Sequence, residues 1–309
     1  RVQTPTLSIV VEREEKIRRH VARDYWELRA SFDAQAGLFE GKWFDPQWKK
    51  NPDDPEQRAD RLWDAAGAEA IARACRGQPA TVTEEAKPST QSSPGLYDLT
   101  TLQREANGRF GFSAKTTLSI AQALYEKHKV LTYPRTDSRH LPEDYLAVVK
   151  NTFGMLADED LPGPLRDLSM HARKGLAEGY VKPSKRVFDN TKVSDHFAII
   201  PTLQAPKSLT EVEAKLYDLV VKRFIAVFYP PAEYLVTTRI SQVKAADATH
   251  HFQTNGKVLV NPGWLAVYGK EAQDEDANLV PVQQGEQVRT EGVDVKALQT
   301  KPPARYTEA

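Results

Sequence analysis

Tyr229-Pro230-Pro231 constrains the fold of this chain more than any other tripeptide, because the hydrophobic period changes across it. Upstream, Leu216, Leu219, Val220, Phe224 and Val227 recur at helical spacing behind a capping box, Thr210-Glu211-Val212-Glu213. Two consecutive prolines lack backbone donors and have fixed φ, so that helix must stop before them. Downstream, residues 234–240, 249–254, 258–260 and 282–293 read as strands, and Asn255-Gly256 predicts a tight hairpin. A second break, Lys87-Pro88-Ser89-Thr90-Gln91-Ser92-Ser93-Pro94-Gly95, has linker composition and predicts a domain boundary. The expected fold class is mixed α and β and multidomain, since 309 residues suffice for two or three domains.

The remaining elements follow from local pattern. Thr4-Pro5 opens a helix with Leu7, Val10, Val11 and Ile17 at helical spacing, and residues 25–32 alternate like a strand. Residues 49–56 read as a solvated loop, and Leu62, Ala66, Ile71 and Cys75 mark the next helix. Cys75 is the only cysteine, so neither a disulfide framework nor a Cys-based metal site is expected; it reads as a small core residue. A stretch over 100–106 precedes a helix capped by Ser113 and carrying Leu118, Ala121, Leu124 and Tyr125. Lys129-Val130-Leu131-Thr132 reads as a short strand, and Pro142-Glu143-Asp144 opens a helix through 149. No internal repeat is found.

Lys+Arg and Asp+Glu both number 42, so composition alone does not mark a nucleic-acid binder. Charge is uneven, however. Between His171 and Lys192, six cations (Arg173, Lys174, Lys182, Lys185, Arg186, Lys192) face only Glu178 and Asp189. That stretch reads equally as a solvated loop or as a polyanion groove. No stretch approaches a membrane span and no signal peptide is visible, so a cytoplasmic protein without a membrane partner is expected.

The chemistry concentrates in Tyr133-Pro134-Arg135-Thr136-Asp137-Ser138. Proline disfavours the helical region for the residue before it, so Tyr133 should be extended. In extended chain residues i and i+2 project to one side, so the Tyr133 hydroxyl and Arg135 guanidinium can face one phosphate. A tyrosine attacking phosphorus exchanges one ester for another, and an arginine fork neutralises the charge that builds on the oxygens. Asp137 and Ser138 offer turn or helix-cap oxygens. Against this stand two plainer accounts. Most of eleven tyrosines in such a chain serve packing, and Arg135 can pair with Asp137.

Five blocks, in order, resemble the type IA DNA topoisomerases, in particular the bacterial topoisomerase III group. Arg1-Val2-Gln3-Thr4-Pro5-Thr6-Leu7 with Val10-Val11-Glu12-Arg13-Glu14 is the first. Tyr97-Asp98-Leu99-Thr100-Thr101-Leu102-Gln103-Arg104-Glu105-Ala106-Asn107, running into Gly111-Phe112-Ser113-Ala114-Lys115, is the second. The Tyr133 block is third, Asp195-His196-Phe197-Ala198-Ile199-Ile200-Pro201-Thr202 fourth, and Lys301-Pro302-Pro303-Ala304-Arg305-Tyr306-Thr307-Glu308-Ala309 fifth. In one departure, the family often has a second histidine where Phe197 stands, leaving His196 as the only imidazole of its motif.

The resemblance implies transient cleavage of one DNA strand through a 5′-phosphotyrosine link at Tyr133, strand passage and resealing without ATP. The lack of a P-loop agrees with this. It implies that Arg135 stabilises the phosphorane and that His196 positions or charge-balances the phosphate, with Asp195 orienting it or capping the turn. Arg1 and Gln3 resemble residues that hold the single strand upstream of the cut, and Arg305 with Tyr306 would support the same strand. Ser113 and Lys115 would meet a phosphate at a helix N-terminus, although capping alone accounts for Ser113. The implied domains are 1–23 and 301–309 (helical, gripping single-stranded DNA), 24–94 and 205–300 (a β-rich arch) and 95–204 (helical, carrying the tyrosine). In the family these build a ring.

By the same resemblance the chain is an internal fragment, opening on Arg1 and stopping within the fifth block. It would lack the N-terminal toprim domain, the source of a glutamate, a lysine and the aspartates that hold Mg2+. No metal is expected on this chain, since Asp158-Glu159-Asp160 and Asp274-Glu275-Asp276 read as solvated charge runs. Its expected partners are single-stranded DNA and that toprim domain, with a helicase left open; alone it should not relax DNA. The rival class is a non-catalytic single-stranded DNA-binding module. A tyrosine recombinase or relaxase is disfavoured, because neither an arginine cluster with a histidine ahead of the tyrosine nor a three-histidine motif is present.

Overall fold

The computed structural model describes residues 2–158, 161, 164–246, 248–269, 272 and 279–309. Arg1, Glu159, Asp160, Asp274, Glu275 and Asp276 lie outside the described residues. The chain divides into two compact units. The first comprises Arg1–Ser89, Leu235–Val258 and Glu275–Tyr306. Its elements are α1 (Gln3–Arg19), β1 (Asp24–Ala34), β2 (Gly37–Phe44), α2 (Ala65–Cys75), β3 (Pro79–Gln91), β4 (Ala232–Lys244), β5 (Thr249–Asn261) and β6 (Gln287–Gln299). The strands close a barrel in the order β1-β2-β5-β4-β3-β6.

β1 is antiparallel to β2 from Arg29↔Lys42 to Ala34↔Gly37, and to β6 from Asp24↔Gln299 to Asp33↔Arg289. A bulge falls between Ser31 and Phe32. Alternation along β1 buries Leu28, Ala30, Phe32 and Ala34. Phe32 lies 5.3 Å from Phe39 and 5.6 Å from Phe252, centroid to centroid, at the middle of this core. Ala68, Ala72 and Cys75 complete it from α2, whose small side chains permit close approach. Arg239 is 1% exposed; its Nε donates to Glu84 Oε2 at 2.9 Å and its guanidinium lies over Phe39.

Four local expectations change here. The helix expected from Leu62 begins at Ala65, because Leu62 instead exchanges backbone hydrogen bonds with Trp26 and Asp64 caps the helix by accepting from Gly67 N. The expected linker is strand through Gln91, and the two units divide at Ser89/Thr90. Asn255-Gly256 makes no hairpin, since β5 runs straight through it; a Cβ at Gly256 would collide with Leu279, so this glycine serves close approach. The last strand starts at Gln287, not 282. α1 forms as expected, yet none of its residues is buried, and Leu7 is 63% exposed.

The second unit comprises Thr90–Tyr234, Leu259–Asp274 and Thr307–Ala309. It contains α3 (Leu99–Phe110), α4 (Ala114–Glu126), α5 (Leu146–Leu156), α6 (Pro164–Ala177) and α7 (Glu211–Ala226), with 3-10 turns at Glu143–Tyr145, Asn190–Lys192 and Gly263–Tyr268. α7 is its centre, with Leu216, Leu219, Val220 and Phe224 buried and neighbours in α4 and α6. Residues 205–234 therefore join the tyrosine-bearing unit instead of the strands that follow. The strand expected over 129–132 is a single bridge, Leu131↔Pro201, preceded by Lys129 at φ +60°. The expected helix at 142 begins as a 3-10 turn and continues as α5 to Leu156.

The capping box forms: Glu213 N donates to Thr210 Oγ1, and Thr210 N donates to Glu213 Oε2 at 2.9 Å. The Thr210 N–H and His128, whose Nε2 lies 3.0 Å away, hold the Glu213 carboxyl below the usual range. A depressed folded value means stabilisation present above the unfolded value of about 4.3 and lost as pH falls through the folded one. Thr210→Ala is expected to cost about 1 kcal/mol in urea unfolding. Glu213→Gln should flatten the acid limb of a melting-temperature profile below about pH 4.3; an unchanged limb would refute this account.

Candidate active site

Residues 131–139 carry no regular ladder, yet burial alternates along them: Pro134, Thr136 and Ser138 are buried while Arg135, Asp137 and Arg139 are exposed. Hydrogen bonds to the 192–201 segment impose this. Thr132 N donates to Ile200 O at 3.0 Å, and Thr132 Oγ1 donates to Ala198 O and accepts from Ile200 N, both at 2.9 Å. Thr136 Oγ1 donates to His196 O at 3.1 Å, and Ser138 Oγ to Lys192 O at 2.7 Å. Leu99 N, at the start of α3, donates to Thr136 O. The inward side chains thus bolt the strip down, leaving Tyr133, Arg135, Asp137 and Arg139 on the outer face.

On that face Tyr133 is half-buried between two rings. His196 lies 4.3 Å away at 43°, and Tyr125, in the last turn of α4, stands edge-on at 5.3 Å and 75°. The Tyr133 hydroxyl has no hydrogen-bond partner among the described residues. Arg135 makes one long hydrogen bond, Nη2 to Gln122 Oε1 at 3.4 Å, and no ion pair with Asp137, so its fork is available. Tyr133 and His196 are therefore brought into contact, with Arg135 exposed on the same side of the strip. The Asp195 carboxylate makes no hydrogen bond or ion pair with the His196 ring; the imidazole packs on Tyr133, and Phe197 packs on Tyr145 at 4.8 Å.

The contrast with other tyrosines is chemical. Tyr97 is fully buried beneath the Arg223 guanidinium at 4.2 Å, and burial pushes its phenol well above the ordinary value. Burial also raises the Tyr217 and Tyr229 phenols. Such groups are locked as neutral packing residues.

The other expected site residues lie elsewhere. Ser113 caps α4 by accepting from Thr116 N at 3.1 Å, and Lys115 is exposed without a partner among the described residues. They sit at the far end of α4 from Tyr125, roughly 18 Å along its axis. At that end Ala114 N donates to Glu308 Oε2 at 2.6 Å, so a carboxylate already uses the helix N-terminus. In the first unit, Gln3 opens α1, while Arg305 is forked onto Glu14 at 2.9 and 3.0 Å and Tyr306 lies under Arg13 at 4.2 Å. Arg1 lies outside the described residues.

Lys185, Arg186 and Lys192 of the basic stretch 171–192 are engaged. Lys185 pairs with Glu143, Lys192 lies 3.9 Å from Asp189, and Arg186 donates to Ser93 and to Val227 O. Asp189 is visible within the stretch itself, whereas Glu143, Ser93 and Val227 come from distant segments that local charge counting does not reach. Gln122, which flanks Arg135, was unmarked, and Tyr125, which flanks Tyr133, was marked only as part of the helix's apolar stripe. Their three-residue spacing on α4 puts them on one face, a signal present in the sequence but shared by every amphipathic helix.

A family model described as DNA topoisomerase matches residues 1–309. DNA topoisomerase 3 of Bacillus licheniformis is 38% identical over 317 residues, covering 100% of this chain and 40% of its own length. DNA topoisomerase 3 of Bacillus subtilis strain 168 is 36% identical over 317 residues, with the same coverage. The chain thus spans less than half the length of these curated relatives. Among solved structures, full-length topoisomerase I from Thermotoga maritima matches with a TM-score of 0.67 and 24% identity, over 99% of this chain and 46% of that one. This likeness shows a shared fold.

Proposed function

The chain belongs to the DNA topoisomerase family, and from that membership we propose that it carries the nucleophile of a type IA strand-passage reaction. The observation that supports this most is the outward-facing Tyr133, packed at a tilt against His196, with Arg135 exposed on the same face. In the proposed step Tyr133 Oη attacks a phosphodiester phosphorus and the bond to the 3′ oxygen breaks. The phenolic proton goes, in net terms, to that leaving oxygen, and the 5′ phosphate stays on tyrosine. Arg135 neutralises the equatorial oxygens as charge builds. His196 supports the aryl ring and the same phosphate. Resealing is the reverse transfer; because the phosphotyrosine keeps the ester energy, no ATP is required.

Among the described residues no group of three or more His, Cys, Asp or Glu is gathered that could hold a metal ion. On this reading the ion belongs to a toprim domain outside this chain, and no step here passes through it. No helix among the described residues is long and apolar enough to cross a membrane. A DNA substrate would place the protein at the nucleoid. On the same reading the barrel belongs to the arch, α1 and 301–309 to the domain gripping single-stranded DNA, and the chain alone does not relax DNA.

The test mixes the chain with a separately prepared toprim domain of a Bacillus relative, a labelled single-stranded oligonucleotide and magnesium. The expected product is a denaturation-resistant adduct whose peptide maps to Tyr133. Oligonucleotide binding without any adduct would favour a non-catalytic DNA-binding module instead.

A further inference from the structure

We propose a second phosphate subsite for the same DNA strand, built from Arg104 and Arg139 in an open cavity of about 330 Å³ beside α3. It rests on the reading above that single-stranded DNA passes Tyr133. Thr101, Glu105, Arg223 and Ala309 also line the cavity. Its charges do not cancel. Arg223 is spent on Glu105, Gly95 O and the Tyr97 ring. Arg139 gives only Nε to Asp98, at 3.2 Å, leaving its terminal nitrogens free; Asp98 is further committed to the α3 cap, accepting from Thr101 N at 2.7 Å. Arg104 is exposed and has no hydrogen-bond or ion-pair partner among the described residues. One unpaired guanidinium and one half-used one therefore face a cavity large enough for a phosphodiester group.

Its place relative to the nucleophile follows from the strip. Tyr133, Arg135 and Arg139 share the outer face, and Arg139 stands six residues beyond Tyr133, at most ~20 Å along extended chain. That span corresponds to six nucleotides or fewer at a rise of ~3.4 Å or more per nucleotide. A strand whose scissile phosphate meets Tyr133 and Arg135 thus reaches the Arg104–Arg139 cavity a few nucleotides away. Phosphate contacts of this kind fix register without reading bases.

The experiment measures equilibrium binding of the chain to single-stranded oligonucleotides across a salt series, without requiring cleavage. Arg104→Ala and Arg139→Ala are each expected to weaken binding and lower the slope of log K against log salt by about 0.7, whereas Arg104→Lys keeps the slope. On oligonucleotides trimmed from one side until they no longer reach the cavity, variants and parent should bind alike. An unchanged slope in both alanine variants, or the same loss on trimmed and untrimmed strands, overturns the subsite. Absence of a Tyr133 adduct with these slope changes intact counts against the nucleophile and not against the subsite.

Discussion

Tyr133→Phe is expected to abolish the covalent adduct while leaving the fold and the DNA affinity in place. The hydroxyl has no partner among the described residues, so its removal orphans no donor or acceptor, and the stability change should stay within about 0.5 kcal/mol. The phenyl ring keeps its contacts with His196 at 4.3 Å and Tyr125 at 5.3 Å. Only the attacking oxygen is lost, and removing a nucleophile typically costs on the order of 10⁴-fold or more. In the reconstituted mixture with the toprim domain, denaturing electrophoresis should show bound but never linked oligonucleotide. An adduct persisting in Tyr133→Phe, with its peptide mapping elsewhere, would move the nucleophile to another side chain. Arg135→Ala should behave differently, slowing linkage by about 10²–10³-fold without abolishing it, as expected for a group that stabilises charge only in the transition state.

Gly263→Ala is expected to be the most damaging single-methyl change in the second unit. Gly263 sits at φ +50°, and a Cβ there would fall inside the contact radius of the carbonyl oxygens of Pro230 and Pro231. Those are rigid backbone atoms, and Trp264 N donates to Pro230 O at 3.0 Å, so the two segments cannot separate without losing that bond. Left-handed strain and overpacking together should cost roughly 2–5 kcal/mol. Urea unfolding followed by tryptophan fluorescence would register this, since Trp264 is buried beside Gly263. Gly95→Ala offers a control, because a Cβ there meets nothing within 4 Å. A Gly263→Ala midpoint equal to that control would refute the clash.

What could be read from the sequence was mostly what short-range physics decides. The α7 capping box, the Ser113 cap and the helical stripe ending at Val227 depend on neighbours three or four residues away, and all three form. The outward alternation of Arg135, Asp137 and Arg139 agrees with the period expected of extended chain, even though no strand is present. Features that depend on remote partners escaped. Gly256 reads as a turn until Leu279 is seen against it. Leu62 reads as helix until Trp26 pairs with it, and the cations of 171–192 read equally as loop or groove until Glu143 and Ser93 appear beside Lys185 and Arg186. At the candidate site the hexapeptide was visible, but Tyr125, Gln122 and Arg104 were indistinguishable from ordinary helix surface.

The closure of the barrel has a kinetic consequence. Its seam is the pairing of β1 with β6, so Asp24 meets Gln299, and between them the chain must build nearly all of the second unit. Contacts this remote are slow to form because loop-closure entropy precedes any gain, whereas the helices of the second unit depend on near neighbours. The tyrosine-bearing unit should therefore fold early and the seam last. During that interval the open edges of β1 and β6 are exposed to pairing with other chains, making the barrel rather than the active-site strip the step that limits refolding yield.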